Sequence, residues 1–112
     1  MKLIETDLSD APYDSIAPRV HKRVEQAAQK SNAIKLGVSG NPHATGAAMG
    51  SFGWMEMRLL WQTTNGYDAE KALGDAINHA TSLGFRAEVM NGPGDAEDIP
   101  EAETFFLYLM RR

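Results

Sequence analysis

The sequence predicts an α+β fold. It has an antiparallel sheet with two helices on one face, in the β-α-β-β-α-β order called ferredoxin-like, and a C-terminal tail that can add one more strand. Three observations lead there. Segments 15–30 and 69–83 carry apolar residues at helical spacing. Segments 33–39, 54–63 and 85–89 alternate apolar with polar residues, the period of a half-buried strand. At 112 residues the chain makes one domain, 1–112, large enough to bury a core without cross-links.

The opening KLIET is a short, weakly alternating strand, and DLSDAPYD reads as a turn leading into a helix. From Ser15 to Lys30, Ile16, Val20, Val24, Ala27 and Ala28 line one face. Arg19, Lys22, Arg23, Gln26 and Lys30 line the other, a basic outer stripe. Pro18 falls in the first turn of a helix that starts at Ser15, where it removes no hydrogen bond. Ile34, Leu36 and Val38 then alternate with Lys35 and Gly37. In the next strand Met55, Met57, Leu59 and Trp61 point inward and Glu56, Arg58 and Gln62 outward, with Leu60 interrupting the outer face.

Asn65 is a good N-cap, and Asp68 places an acid in the first turn that follows. The helix that follows has Ala69, Ala72, Leu73, Ala76, Ile77, Ala80 and Leu83 on one face, and Gly84 can stop it with a left-handed residue. Phe85, Ala87 and Val89 form a third clear strand before the loop NGPGDAEDIPEA. The tail ETFFLYLMRR reads as a strand because of its aromatics, pairing with 85–90 as a long-looped hairpin. A helix is the alternative, since Asp98-Ile99-Pro100-Glu101 resembles a helix start.

Composition removes several kinds of chemistry. The chain has no cysteine, which excludes disulfides, thiolate metal sites and cysteine nucleophiles together. Met1-Lys2-Leu3-Ile4 gives way at once to Glu5 and Asp7, unlike a signal peptide. No apolar run approaches the ~20 residues that cross a bilayer. A cytoplasmic protein without a membrane partner is the expectation. Net charge is −4, which disfavours general nucleic-acid affinity. The charge is bipolar: five bases stand against Glu25 between Arg19 and Lys35, and nine acids against Lys71 and Arg86 between Asp68 and Glu103.

Fourteen residues, Gly40 to Gly53, join two strands that a short turn could connect. Long connectors in compact domains tend to be functional or mobile. The glycine spacing fits no phosphate loop: Ala47 follows Gly46 where a Walker motif needs lysine, and GxGxxG is absent. Pro42 and a short helical turn around His43 to Met49 would give the connector some shape. Exposed Met49 and Phe52, with His43 and Trp54, make it the best contact surface in the sequence.

Lys35-Leu36-Gly37, continued by Val38-Ser39-Gly40-Asn41-Pro42, resembles the Lys-hydrophobic-Gly variant of the second motif in the GIY-YIG endonuclease superfamily. Leu59-Leu60-Trp61 looks like that family's next strand, and Ala69-Glu70-Lys71-Ala72-Leu73 like the helix carrying its metal-binding glutamate. The resemblance covers about residues 34–73. It implies a metal-dependent nuclease with Lys35, Gly37 and Glu70 in the site, Glu70 on the metal. Ala44 and Thr45 occupy the region of the family's phosphate-contacting arginine, and nothing like the first motif precedes Lys35. An inactive descendant therefore belongs to the same reading.

His21, His43 and His79 lie on separate elements, without the spacing of a metal site. Asp75 and His79, four apart on one helix, read as a stabilising pair. Ser39 and Ser51 lack a nucleophile-elbow setting. The leading expectation is a non-catalytic binding or regulatory module without a cofactor. It would dock on a protein partner, or on itself as a homodimer, through the open sheet face and the 40–53 connector. Trp54, Leu60 or Met110 on that face would be buried by the partner. The nuclease is the second reading. The third is a nucleic-acid binder using Arg19, Lys22, Arg23 and Lys30 on the first helix.

Overall fold

A computed structural model describes residues 2–31, 33–84 and 103–112. Their elements run β1 (Lys2–Ile4), α1 (Tyr13–Lys30), β2 (Ile34–Ser39), α2 (Pro42–Gly50), β3 (Glu56–Thr63), α3 (Gly66–Ser82) and β4 (Phe105–Arg111). The strands form one sheet in the order β1-β3-β4-β2. β4 runs antiparallel to both neighbours, but β1 lies parallel to β3, with Leu3 opposite Met57. The sheet is thus mixed, which corrects the wholly antiparallel expectation. A helix also stands between β2 and β3, so the described elements do not follow the expected order. The expected strand at 85–90 lies outside the described residues.

The tail is a strand, but a central one, flanked by β3 and β2. Its sequence explains the place. FFLYLM is apolar at every position, and a strand covered on both faces needs no polar side. Leu107 and Leu109 join the core beneath the helices, while Tyr108 and Met110 join a second core on the opposite face.

α1 begins two residues earlier than expected, at Tyr13. Pro18 therefore sits in the second turn, where it leaves the Asp14 carbonyl without its usual N–H. Asp14 is exposed, so water can donate to that carbonyl in place of the missing N–H. Ile16, Val20, Val24 and Ala27 pack against Ala72, Leu73, Ala76 and Ala80 of α3, over Ile34 and Leu36 of β2. Asn65 caps α3 as its type predicts, its Oδ1 accepting from the backbone N–H groups of Tyr67 (2.9 Å) and Asp68 (3.2 Å). Gly84 takes a positive φ of 91° just past the helix end.

In β3 the strict alternation fails. The register with β4 shifts between Leu59 and Trp61, placing a bulge at Leu60. Met57 and Leu59 face the second core, whereas Leu60 and Trp61 both face the helices. One extra residue in a strand reverses which side chains point inward beyond it. That is why Leu60 is buried rather than an interruption of the outer face. Met55, expected inside, precedes the first residue of β3 and is 68% exposed.

Candidate docking surface

The 40–53 connector is mostly helix. Asn41 accepts from the Ala44 N–H through its Oδ1, Pro42 occupies the first turn, and Ser39 Oγ meets Thr45 Oγ1 at 2.7 Å. These are ordinary start signals. α2, PHATGAAMG, nonetheless has no apolar stripe: apart from Met49 its faces are mostly small and uncharged.

Pro42 is buried, and Met49 packs on the second core with Trp54, Leu8 and Phe106. The sheet face expected to be open is thus partly covered. Met110 and Leu60, expected to await a partner there, are already buried, Met110 within the second core and Leu60 under the helices. Met49 is corrected from an exposed contact to a packing residue. Trp54 is half-buried, with the Arg112 guanidinium 4.5 Å above its ring and Arg112 Nη1 donating to the Phe52 carbonyl at 2.9 Å.

What stays outside is mostly small or apolar. His43, Ala44, Ala47 and Ala48 are exposed along α2. Phe52 and Met55 follow, 66% and 68% exposed, with the chain turning at Gly53 (φ 88°). From Leu36 to Met55 the sequence holds no lysine, arginine, aspartate or glutamate. Between α2 and β1 the remaining opening is a groove of about 220 Å³, floored by Leu3 and Met57 and walled by Pro42, His43, Gly46 and Ala47.

Half of the basic stripe is spent. Asp7, 6% exposed, takes Arg23 Nε at 2.6 Å and Arg58 Nη1 at 3.2 Å, and Arg19 donates to its carbonyl. Burial works to raise the Asp7 carboxyl, but Arg23 and then Arg58 outweigh it and hold it below the usual carboxylate range. Lys22 and Lys30 remain exposed.

The packing of α1 on α3 brings together a polar seam that one-dimensional spacing did not show. Tyr13 OH donates to Asp75 Oδ2 at 2.7 Å, and His21 Nε2 meets the same oxygen at 2.7 Å. His79 Nε2 meets Glu25 Oε1 at 3.2 Å, and the two imidazoles stack with centroids 4.2 Å apart. Each histidine thus reaches a carboxylate on the other helix. The expected Asp75–His79 pair within α3 gives way to these crossed contacts. Burial raises Asp75, but the Tyr13 and His21 bonds outweigh it and hold the carboxyl low; burial and Asp75 in turn push the Tyr13 phenol up. Beside the seam lies a cleft of about 660 Å³ lined by Asp10, Tyr13, Asp14, Trp61, Asp68 and Asp75, among others.

Lys35 and Gly37 alternate with Ile34 and Leu36 and so face the second core, opposite Met110 and Tyr108. Glu70 is exposed on α3, across the sheet from them. The structure does not bring these three together. Among the described residues no group of three or more histidine, aspartate or glutamate side chains is arranged to hold a metal ion. No described helix is long and apolar enough to cross a membrane. No family model, no curated protein and no solved structure matches this chain.

Proposed function

We propose that this chain is a non-catalytic docking module, which binds a protein partner through the outer face of α2 and the turn that follows it. The observation that carries the reading is the exposed surface of His43, Ala44, Ala47, Ala48, Phe52 and Met55, which holds no acid, lysine or arginine of its own and is bordered by the Arg112 guanidinium at Phe52. Large exposed apolar side chains beside a helix of small residues favour a partner whose own surface is apolar and uncharged. Small side chains let that partner's backbone approach closely, while Phe52 and Met55 supply area to bury. At about 25 cal/mol per Å², covering those two side chains is worth roughly 1.5–3 kcal/mol each before the costs of association.

The other sites give catalysis little support. Lys35 and Glu70 lie on opposite sides of the sheet, and the Nε2 atoms of His21 and His79 are both engaged by carboxylates. Arg19 and Arg23, half of the basic stripe, hold Asp7 in place.

The test is affinity capture from the native host with three baits: the natural chain, Phe52→Asp/Met55→Asp, and Lys22→Glu/Lys30→Glu. Proteins retained by the first and third baits but lost by the second support the reading. Identical capture by all three refutes it.

A further inference from the structure

We infer that the partner on this surface is a second copy of the chain, joined about a two-fold axis that crosses the middle of α2. The inference rests on the docking reading above and specifies its occupant. Two shapes on one molecule suggest it. Phe52, 66% exposed, projects just beyond the C-terminal end of α2. The groove floored by Leu3 and Met57 opens beside the N-terminal half, at Pro42, His43 and Gly46. Its volume of about 220 Å³ suits one large side chain. Knob and groove thus lie toward opposite ends of one short helix. A two-fold axis near Ala47 and Ala48, perpendicular to the line joining them, carries the knob of each copy onto the groove of the other. Each site is then completed by a residue of the partner.

Charge argues for self-association in particular. Residues near a two-fold axis face their own copies, so any charge there meets its like. The chain carries a net charge of −4, so two copies repel overall. The stretch Leu36 to Met55, free of acids and of lysine and arginine, is where such an axis can pass without that cost. A different partner could have used complementary charges, and α2 offers none. The exposed alanines at the crossing point let the two helices approach closely. The surface that α2 and the following turn offer is small, so the interface belongs at the low end of the size range, below about 1,200 Å² in total, where association is weak and reversible.

Sedimentation equilibrium of the purified full chain, over roughly 10 to 500 µM, reads the association where an interface of this size is half formed. The natural chain should show a monomer–dimer equilibrium. Phe52→Ala, which removes the knob, and Gly46→Leu, which fills the groove, should each weaken it at least about tenfold, the loss of one well-packed apolar contact per site. Gly46 has an ordinary negative φ, so leucine there brings no backbone strain. An equimolar mixture of the two variants should associate more tightly than either alone, because one intact knob meets one intact groove. The chain has no cysteine, so Ala48→Cys should also give a single disulfide-linked dimer on mild oxidation. Circular dichroism checks that each variant keeps the fold.

A natural chain that stays monomeric at the highest concentration overturns the inference. So does a dimer indifferent to both substitutions, a mixture no tighter than its parts, or an Ala48→Cys chain that does not cross-link. None of these results touches the capture experiment, which alone decides whether some other protein docks on α2.

Discussion

Replacing Asp7 with alanine tests the electrostatic joint that ties the segment after β1 to α1 and β3. The carboxylate side chain is 7% exposed and receives Arg23 Nε at 2.6 Å, Arg23 Nη2 at 2.8 Å and Arg58 Nη1 at 3.2 Å. Breaking a fully buried ion pair from one side costs about 3–5 kcal/mol, since it strands the opposite charge. Here the stranded charges differ. Arg58 is 19% exposed and would be left largely without compensation, whereas Arg23, 32% exposed, can turn to water. The expected loss is therefore about 2–3 kcal/mol, below the fully buried figure. For a domain of this size that lowers Tm by about 10 °C.

The pH dependence carries the sign. Asp7 titrates lower in the folded protein than in the unfolded chain. Its stabilisation is complete above the unfolded carboxyl value of about 3.9 and is lost as pH falls through the folded value. Urea unfolding of the natural chain and Asp7→Ala should show the full difference at pH 7. The gap should narrow on acidification below about pH 4. A difference under about 0.5 kcal/mol at pH 7, the scale of an ordinary surface substitution, would refute the joint. A gap that stayed constant into strong acid would refute its ionic character.

Three further outcomes follow from the same geometry. Leu60→Ala should cost about 2–5 kcal/mol in denaturant unfolding, as a truncation in the helix-side core does; an outward-facing leucine would lose almost nothing. His21→Ala and His79→Ala should be non-additive in a double-mutant cycle at pH 7, with a coupling of about 0.5–1.5 kcal/mol between the stacked rings, and strict additivity would mean that the stack contributes nothing. Supercoiled plasmid with Mg²⁺ should remain un-nicked by the natural chain, and nicking that Glu70→Ala abolishes would reinstate the nuclease reading.

Much of the architecture was legible from local rules. Ile16, Val20, Val24 and Ala27 repeat at the helical period and are buried together. Asn65 and Gly84 mark the two ends of α3 because capping and left-handed backbone are properties of single residues. β2 alternates as a strand does. α2 was half legible: Asn41-Pro42 announced a start, but its nine mostly small residues carry no stripe to confirm a helix or to say which side is inner.

The candidate docking surface was visible only in part. Phe52 stands exposed as the sequence suggests, while Met49 and Trp54 turn inward, because an apolar side chain packs wherever a neighbouring face admits it. His21 and His79 gave no sign of meeting. They are 58 positions apart, and only the packing of α1 on α3 stacks them.

The sequence by itself determined what depends on near neighbours: where helices start and stop, which residues can form strands, and the absence of thiol chemistry. The tertiary structure alone decided what depends on distant partners. It put the tail in the middle of the sheet, set β1 parallel to β3, reversed the inward face of β3 at one bulge, and spent two arginines of the basic stripe on Asp7. Strand pairing and charge pairing are contacts between remote segments, and each segment on its own is compatible with several partners.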